Sequence, residues 1–188
     1  HQLMLLHGAQ GKGKSTFVRH LLPPELKDYY RNGMISPDNK DHLLQMSSCL
    51  LINLDEFDTL SPARMQELKS LITQDVMNER KVYDIQNYTF IRRASFIAST
   101  NNPHCLPDIG ENRRILFNTL LEIDYHTPVN HQGIYAQAYA LYQQGFQYWY
   151  ENQEITFLNN RNEAFRQKDP LEENLFFYFR AASPNDIQ

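Results

Sequence analysis

Gly8-Ala9-Gln10-Gly11-Lys12-Gly13-Lys14-Ser15 matches G-x-x-x-x-G-K-[ST] at every fixed position. Each residue type has a physical reason. Glycine lets the backbone take positive φ and come close to a ligand. The N–H groups of such a loop point inward and form an anion nest. The helix that follows adds its N-terminal dipole. Lys14 is expected to reach the β- and γ-phosphates of a nucleotide, and the Ser15 hydroxyl to ligate Mg²⁺. Gly8, Gly11 and Gly13 shape the loop, Thr16 adds a contact to the α-phosphate, and Lys12 faces solvent.

A second group of polar residues completes a hydrolytic set. Leu50-Leu51-Ile52-Asn53-Leu54 is an apolar run that ends in Asp55-Glu56. An aspartate at a strand end beside a phosphate loop can hold Mg²⁺. Glu56 can then polarise an attacking water. Asp58 is a third carboxylate, read as a turn residue on the approach to a helix. Ala94 to Ala98 is another apolar run, closing on Ser99-Thr100-Asn101-Asn102. If that strand lies between the loop strand and the acidic strand, Asn101 meets the γ-phosphate and the water. Asn102 is the alternative, or the turn before Pro103. Arg113 and Arg114 suit the stabilisation of a transferring phosphoryl group, often from a neighbouring subunit. Arg113 is the first choice and Arg114 the second. The plain alternative is two surface arginines paired with Glu111 and Glu122.

These residues need a scaffold of alternating strands and helices. Leu3–Leu6 reads as a buried parallel strand, followed by a helix from about Gly13 to Leu22 that Pro23-Pro24 stops. A weak strand is expected near Met34-Ile35, and Asp38 as the cap of a helix running through Met46. Ser61-Pro62 reads as N-cap and first-turn proline of a helix extending to about Asn78. Ile115–Phe117 is a further strand. Such alternation implies an α/β fold, a parallel sheet with helices on both faces. From Gly133 to about Asn152 the pattern is helical, and Leu171–Phe179 gives one more helix. Residues 1–127 are therefore expected to form the core, and 128–188 a helical lid and the start of a C-terminal segment.

Glu79 to Arg93 alternates β-formers with polar residues around 84–87, as a hairpin does. Lys81, Arg92 and Arg93, with interleaved aromatics, suit contact with single-stranded DNA. An ordinary edge hairpin kept soluble by its charges fits as well. Tyr135, Tyr139, Tyr142, Phe146 and Trp149 follow helical spacing and are expected in a core. His42, Cys49, His104 and Cys105 have no zinc spacing.

The bulk numbers set the frame. The chain has 188 residues, 41% of them apolar and 21% charged, enough for one packed domain. A formal charge of −4 argues against a broadly basic nucleic-acid surface but allows a local basic element. Two cysteines are too few for a disulfide framework and point to a reducing cytoplasm. No apolar run is long enough to cross a membrane, and the N-terminus has no signal-peptide pattern. The chain starts without Met and enters an apolar strand at once, which reads as a segment of a longer protein.

The order of these parts is itself informative: the loop, then LLINLDEFD, then ERKVYDIQNYTFIRRASFIASTNN, then LPDIGENRRIL. It resembles the virulence-associated protein E family, whose ATPase domain is similar to superfamily 3 helicases and to primase–helicases of phages and mobile elements. The likeness covers roughly Leu3 to Phe117. It implies an AAA+-like P-loop three-layer sandwich with a C-terminal lid, and ATP with Mg²⁺ as ligands. It implies Lys14 and Ser15 for phosphate and metal, Asp55 and Glu56 for metal and water, and Asn101 as γ-phosphate sensor. Arg113 or Arg114 becomes a finger donated to the next subunit. Arg92 and Arg93 match paired basic residues leading into the sensor strand. Members would form a hexameric ring moving along single-stranded DNA during replication. The other readings of the same residues are a nucleotide switch or defence ATPase without helicase activity, and a small-molecule kinase.

Overall fold

A computed structural model describes residues 2–36, 39–55, 57–80, 87–106, 112–167 and 170–179. Seven strands and six α-helices follow in order: β1 Leu3–His7, α1 Lys14–Arg19, β2 Tyr30–Asn32, α2 Lys40–Ser48, β3 Leu51–Leu54, α3 Pro62–Thr73, β4 Val76–Arg80, β5 Asn87–Ile91, β6 Ser95–Thr100, β7 Ile115–Thr119, α4 His131–Gln143, α5 Asn152–Glu163 and α6 Pro170–Tyr178. Short 3₁₀ turns lie at Pro24–Tyr29 and Phe57–Thr59. Five strands form one sheet in the order β2-β3-β6-β1-β7, and every neighbouring pair is parallel. The C-terminal ends of all five strands therefore share one edge.

The alternation of side chains along each strand divides the core. On one face Leu3, Leu5, Ile52, Leu54, Phe96, Ile115 and Phe117 pack with Leu43 and Met46 of α2 and with Met65, Leu68, Leu71 and Ile72 of α3. On the other face Leu6 and Ile97 pack with Val18 of α1. Burying each Leu or Ile side chain contributes about 1.5–3 kcal/mol, so the first face dominates the stability.

Local chemistry sets the helix ends. Ser61 caps α3, its hydroxyl accepting from the Arg64 N–H at 3.3 Å, with Pro62 in the first turn. The cap of α2 is Asn39, which accepts from the N–H groups of Asp41 and His42; Asp38, the expected cap, lies outside the described residues. The second strand is Tyr30–Asn32 and not Met34-Ile35. Gly33, at φ 129°, turns the chain away after it, and Ile35 packs into the core. Helix α3 ends at Thr73, short of the expected Asn78. The residues beyond it pair instead, β4 antiparallel to β5 from Val76↔Ile91 to Arg80↔Asn87. The turn of this hairpin, with Lys81, lies outside the described residues.

After β7, α4 stops at Gln143, short of the expected Asn152, α5 is a helix the sequence pattern did not announce, and α6 lies where Leu171–Phe179 was expected to be helical. Helix α5 returns to the core: Leu158 and Asn162 are buried, and Phe165 beyond it stacks on Phe117 at 3.7 Å between centroids. Helix α4 buries none of its residues. The aromatic stripe expected to be core is exposed, Tyr142 at 73% and Trp149 at 52%. The start of α4 meets the chain just after α1, where His131 Nε2 lies 2.7 Å from the His20 carbonyl and the Tyr135 hydroxyl donates to Leu21 O. No described helix is long and apolar enough to cross a membrane.

Removing the Phe117 ring should open a void and strand Phe165. Phe117→Ala is expected to cost about 3–5 kcal/mol in urea unfolding, whereas exposed Phe157→Ala should stay within about 0.5 kcal/mol.

Candidate functional site

The sheet order brings the polar strand ends together. Strand β6 lies between β1 and β3, with His7 beside Thr100 and Leu54 beside Ala98. The residues following β1, β6 and β3 are thus the Gly8 loop, Asn101 and Asp55. The Gly8 N–H donates to the Thr100 carbonyl at 3.2 Å and ties the loop to the end of β6.

Lys14 is the centre of the arrangement. It opens α1, is buried, and its ammonium donates to Gly8 O at 2.5 Å, Ala9 O at 2.9 Å and Asn101 Oδ1 at 2.7 Å. Burial lowers its pKa, and the nearby Asp58 carboxylate acts in the opposite direction. Gly13 and Gly11 take left-handed conformations, φ 80° and 79°, as the loop requires. Gly8 does not appear among the positive-φ glycines. A Cβ there would stand 3.4 Å from Leu120 O, an ordinary contact, so the protein's own packing does not demand glycine at this position. Ser15 and Thr16 lie exposed in the first turn of α1 and line an open cavity of about 370 Å³ with Lys14 and Asn101.

Of the two asparagines, Asn101 reaches Lys14. Asn102 is used in the turn, its amide and carbonyl exchanging hydrogen bonds with His104 at 3.2 and 2.9 Å. Asp58, read from sequence as a turn residue, lies at this site. One of its oxygens accepts from the Thr100 hydroxyl, and the other from the Asn101 N–H at 3.1 Å. It therefore fixes the backbone that carries Asn101. A D-E-x-D spacing was visible in the sequence, but its fourth member finds its partners only once β6 is in place.

Asp55 stands two strands from the loop. Its Oδ1 accepts from the Asn53 amide at 2.9 Å and its Oδ2 from the Asn32 amide, while Asn53 also donates to Asn32 at 2.7 Å. The Asx cluster orients the carboxylate at the strand end. Glu56 lies outside the described residues. Ser15 and Asp55 offer a hydroxyl and a carboxylate, hard oxygen donors of the kind Mg²⁺ takes. Among the described residues no group of three or more His, Cys, Asp or Glu side chains forms a separate metal site.

Arg113 and Arg114 sit at the opposite edge. They precede β7, and the Arg114 carbonyl accepts from the Leu3 N–H at 2.7 Å, at the start of β1. From Leu3 to His7 the sheet spans roughly 13 Å, so neither arginine is placed beside its own phosphate loop. Behind them lies a buried polar group that the sequence pattern concealed. Lys69 of α3, 3% exposed, donates to Asn112 Oδ1 at 2.9 Å, and Asn162 of α5 donates to the Asn112 and Ile115 carbonyls at 2.9 and 2.8 Å. Burial lowers the Lys69 pKa, with the Arg114 charge adding to the effect.

The hairpin base is also at this far edge. Arg92 points into the protein: it donates to Gln74 O at 2.8 Å and Ala94 O at 2.7 Å, approaches Asp75 at 3.6 Å, and lies over the Phe96 ring. Its side chain is only 10% exposed. Arg93 is exposed, with its N–H donating to Met46 O.

The virulence-associated protein E-like domain family matches residues 1–167. The chain belongs to this family. No curated protein matches it. Two apo structures of the NrS-1 C-terminal region are similar at 16% and 18% identity, with TM-scores of 0.43 and 0.46. The likeness covers 87% of this chain and 34% and 35% of theirs. The chain thus spans about a third of the length of those structures. Its own architecture, a parallel α/β sheet with the glycine loop between β1 and α1, is compatible with a P-loop-like fold.

Cys105 follows the Asn102 turn, and burial pushes its thiol up to about 11 from 9.0. The folded thiol should stay protonated at pH 8, so iodoacetamide should label it far more slowly than in denatured protein, read by mass spectrometry. Because the unfolded thiol ionises first, its contribution to stability should decline as pH rises from 9 to 11, seen as a falling urea midpoint.

Proposed function

We propose that this domain is a Mg²⁺-dependent ATPase of a ring-forming, helicase-like motor that acts on single-stranded DNA in replication of a mobile element or phage-derived region. The observation that carries the reading is the 2.7 Å bond between Lys14 and Asn101, made across the β1–β6 pair. It puts a cation and a polar amide at one point above the strand ends, where a γ-phosphate would lie. Phosphate oxygens would take over the donors that Lys14 now gives to the Gly8 and Ala9 carbonyls. Asn101, held by Asp58, would then orient the attacking water, and Glu56 would polarise it. Mg²⁺, held by Ser15 and Asp55, would neutralise charge on the β- and γ-phosphates. Catalysis of this kind is positioning and electrostatics, with in-line attack of water on the γ-phosphate.

The far-edge placement of Arg113 and Arg114 favours a finger that acts on a neighbouring copy. The Lys69–Asn112–Asn162 group would hold that segment in place. At the same edge the β4–β5 hairpin would face DNA in the ring's pore, with Lys81 and Arg93 as contacts and Arg92 as an internal brace. In this reading α4, which buries none of its residues, belongs to the AAA+-like lid, whereas α5 packs on the core, and the ring is hexameric. Nothing in the reading needs a membrane.

Asn101→Ala is expected to keep ATP binding and to lower turnover by about a hundredfold, measured as steady-state phosphate release. Lys14→Ala and Arg113→Ala should each be nearly inactive, while their mixture should recover part of the turnover because each supplies what the other lacks. Turnover should rise with single-stranded DNA and more than linearly with protein. An Arg113→Ala protein with full activity sinks the finger, and turnover indifferent to DNA and to concentration turns the reading to a nucleotide switch.

A further inference from the structure

The phosphate-loop cavity has two walls that the loop motif does not provide: Ser99 and Asn101 at the end of β6, and Tyr125. Among the described residues that line it, Tyr125 is the one aromatic, and the rest are polar or glycine. Tyr125 is remote in sequence, but the sheet delivers it. Strand β7 runs parallel to β1, and just beyond both strands the Leu120 N–H donates to the His7 carbonyl at 2.8 Å. The chain leaving β7 therefore emerges beside the loop. An Asx turn then bends it: Asp124 Oδ1 accepts from the N–H groups of His126 and Thr127 at 3.0 Å each, and the Thr127 hydroxyl donates to the other oxygen. These donors hold the Asp124 carboxyl below its ordinary range. The turn sets the Tyr125 ring directly on Gly13, where a Cβ would lie 2.1 Å from Cδ1 and 2.6 Å from Cε1. His126 stands next to it, 4.2 Å between ring centroids.

We propose that Tyr125 is the platform for the nucleoside part of a nucleotide whose phosphates lie in the loop. The inference rests on the nucleotide reading of that loop. A half-buried aromatic ring beside a polar anion nest gives an apolar surface where sugar and base leave the phosphates. Aromatic rings stack on any base, since every base presents a π-face. The platform therefore adds affinity without a hydrogen-bond code, and ATP and GTP should depend on it alike. It also gives Gly13 a second reason to be glycine: besides its φ of 80°, any side chain there would displace the ring.

The test uses the 188-residue chain and two probes, ATP and inorganic tripolyphosphate, with binding followed by calorimetry. Tyr125→Ala should weaken ATP and GTP by about tenfold and leave tripolyphosphate unchanged, while Tyr125→Phe should bind all three as the parent does. Tyr125→Leu keeps bulk without an aromatic face and should behave as the alanine variant, which guards against a folding defect in the latter. Unchanged ATP affinity in the alanine and leucine variants overturns the proposal. So does an equal loss for ATP and tripolyphosphate, which would make the ring a mere prop for the loop. Lys14→Ala separates the two layers: it should weaken both probes. If the parent chain binds neither probe, or Lys14→Ala changes nothing, the nucleotide reading fails and the platform with it.

Discussion

The structure depends on β6 lying between β1 and β3. Parallel pairing sends every strand end to one edge, and this order makes the loop, Asn101 and Asp55 neighbours in space although 87 residues separate Lys14 from Asn101. The order also sets the polarity of the domain. What precedes the strands, Arg92, Arg93, Arg113 and Arg114, collects at the other edge. A connection that placed β6 outside β3 would keep every residue and lose the Lys14–Asn101 bond. The apolar strand faces hold this order, since Leu3, Leu5, Phe96 and Ala98 are buried in one cluster with α2 and α3.

Around Lys14 the polar groups are arranged in two layers. The inner layer is what the ammonium touches: two carbonyls of its own loop and the Asn101 side chain. The outer layer holds the inner one. Asp58 binds the Asn101 N–H and the Thr100 hydroxyl. A buried ammonium is costly unless its donors are used, so the loop, the end of β6 and the acidic turn support one another. The same logic runs at the far edge, where buried Lys69 finds Asn112.

How much of this the sequence disclosed follows from the range of each interaction. The loop motif, the Ser61-Pro62 cap, the apolar strands and the polar ends of β3 and β6 are local patterns, and they stand where the periodicity puts them. The family was legible from the order of those motifs. Asp58, Lys69 and Tyr125 were not, because each acts through a partner more than 40 residues away. Lys69 sits in a helix whose neighbours Leu68 and Ile72 announce a buried face, so its own burial carried no separate signal. Helix α3 was expected to run on because Val76 keeps its spacing; pairing with Ile91 overrides that propensity. The aromatic stripe of α4 has the right period for a core, but among the described residues no layer covers it.

The separation of the two edges constrains how copies of this domain can meet. A two-fold axis that lays two sheets antiparallel would set each copy's arginine edge beside the other's loop edge, twice in one interface. A head-to-tail contact would make the same match once per interface and leave one edge of each kind over at the ends of a row. The first arrangement is complete with two copies, whereas the second is complete only when the row closes on itself, so subunit count and edge matching are tied together by the single fact that the two edges lie apart.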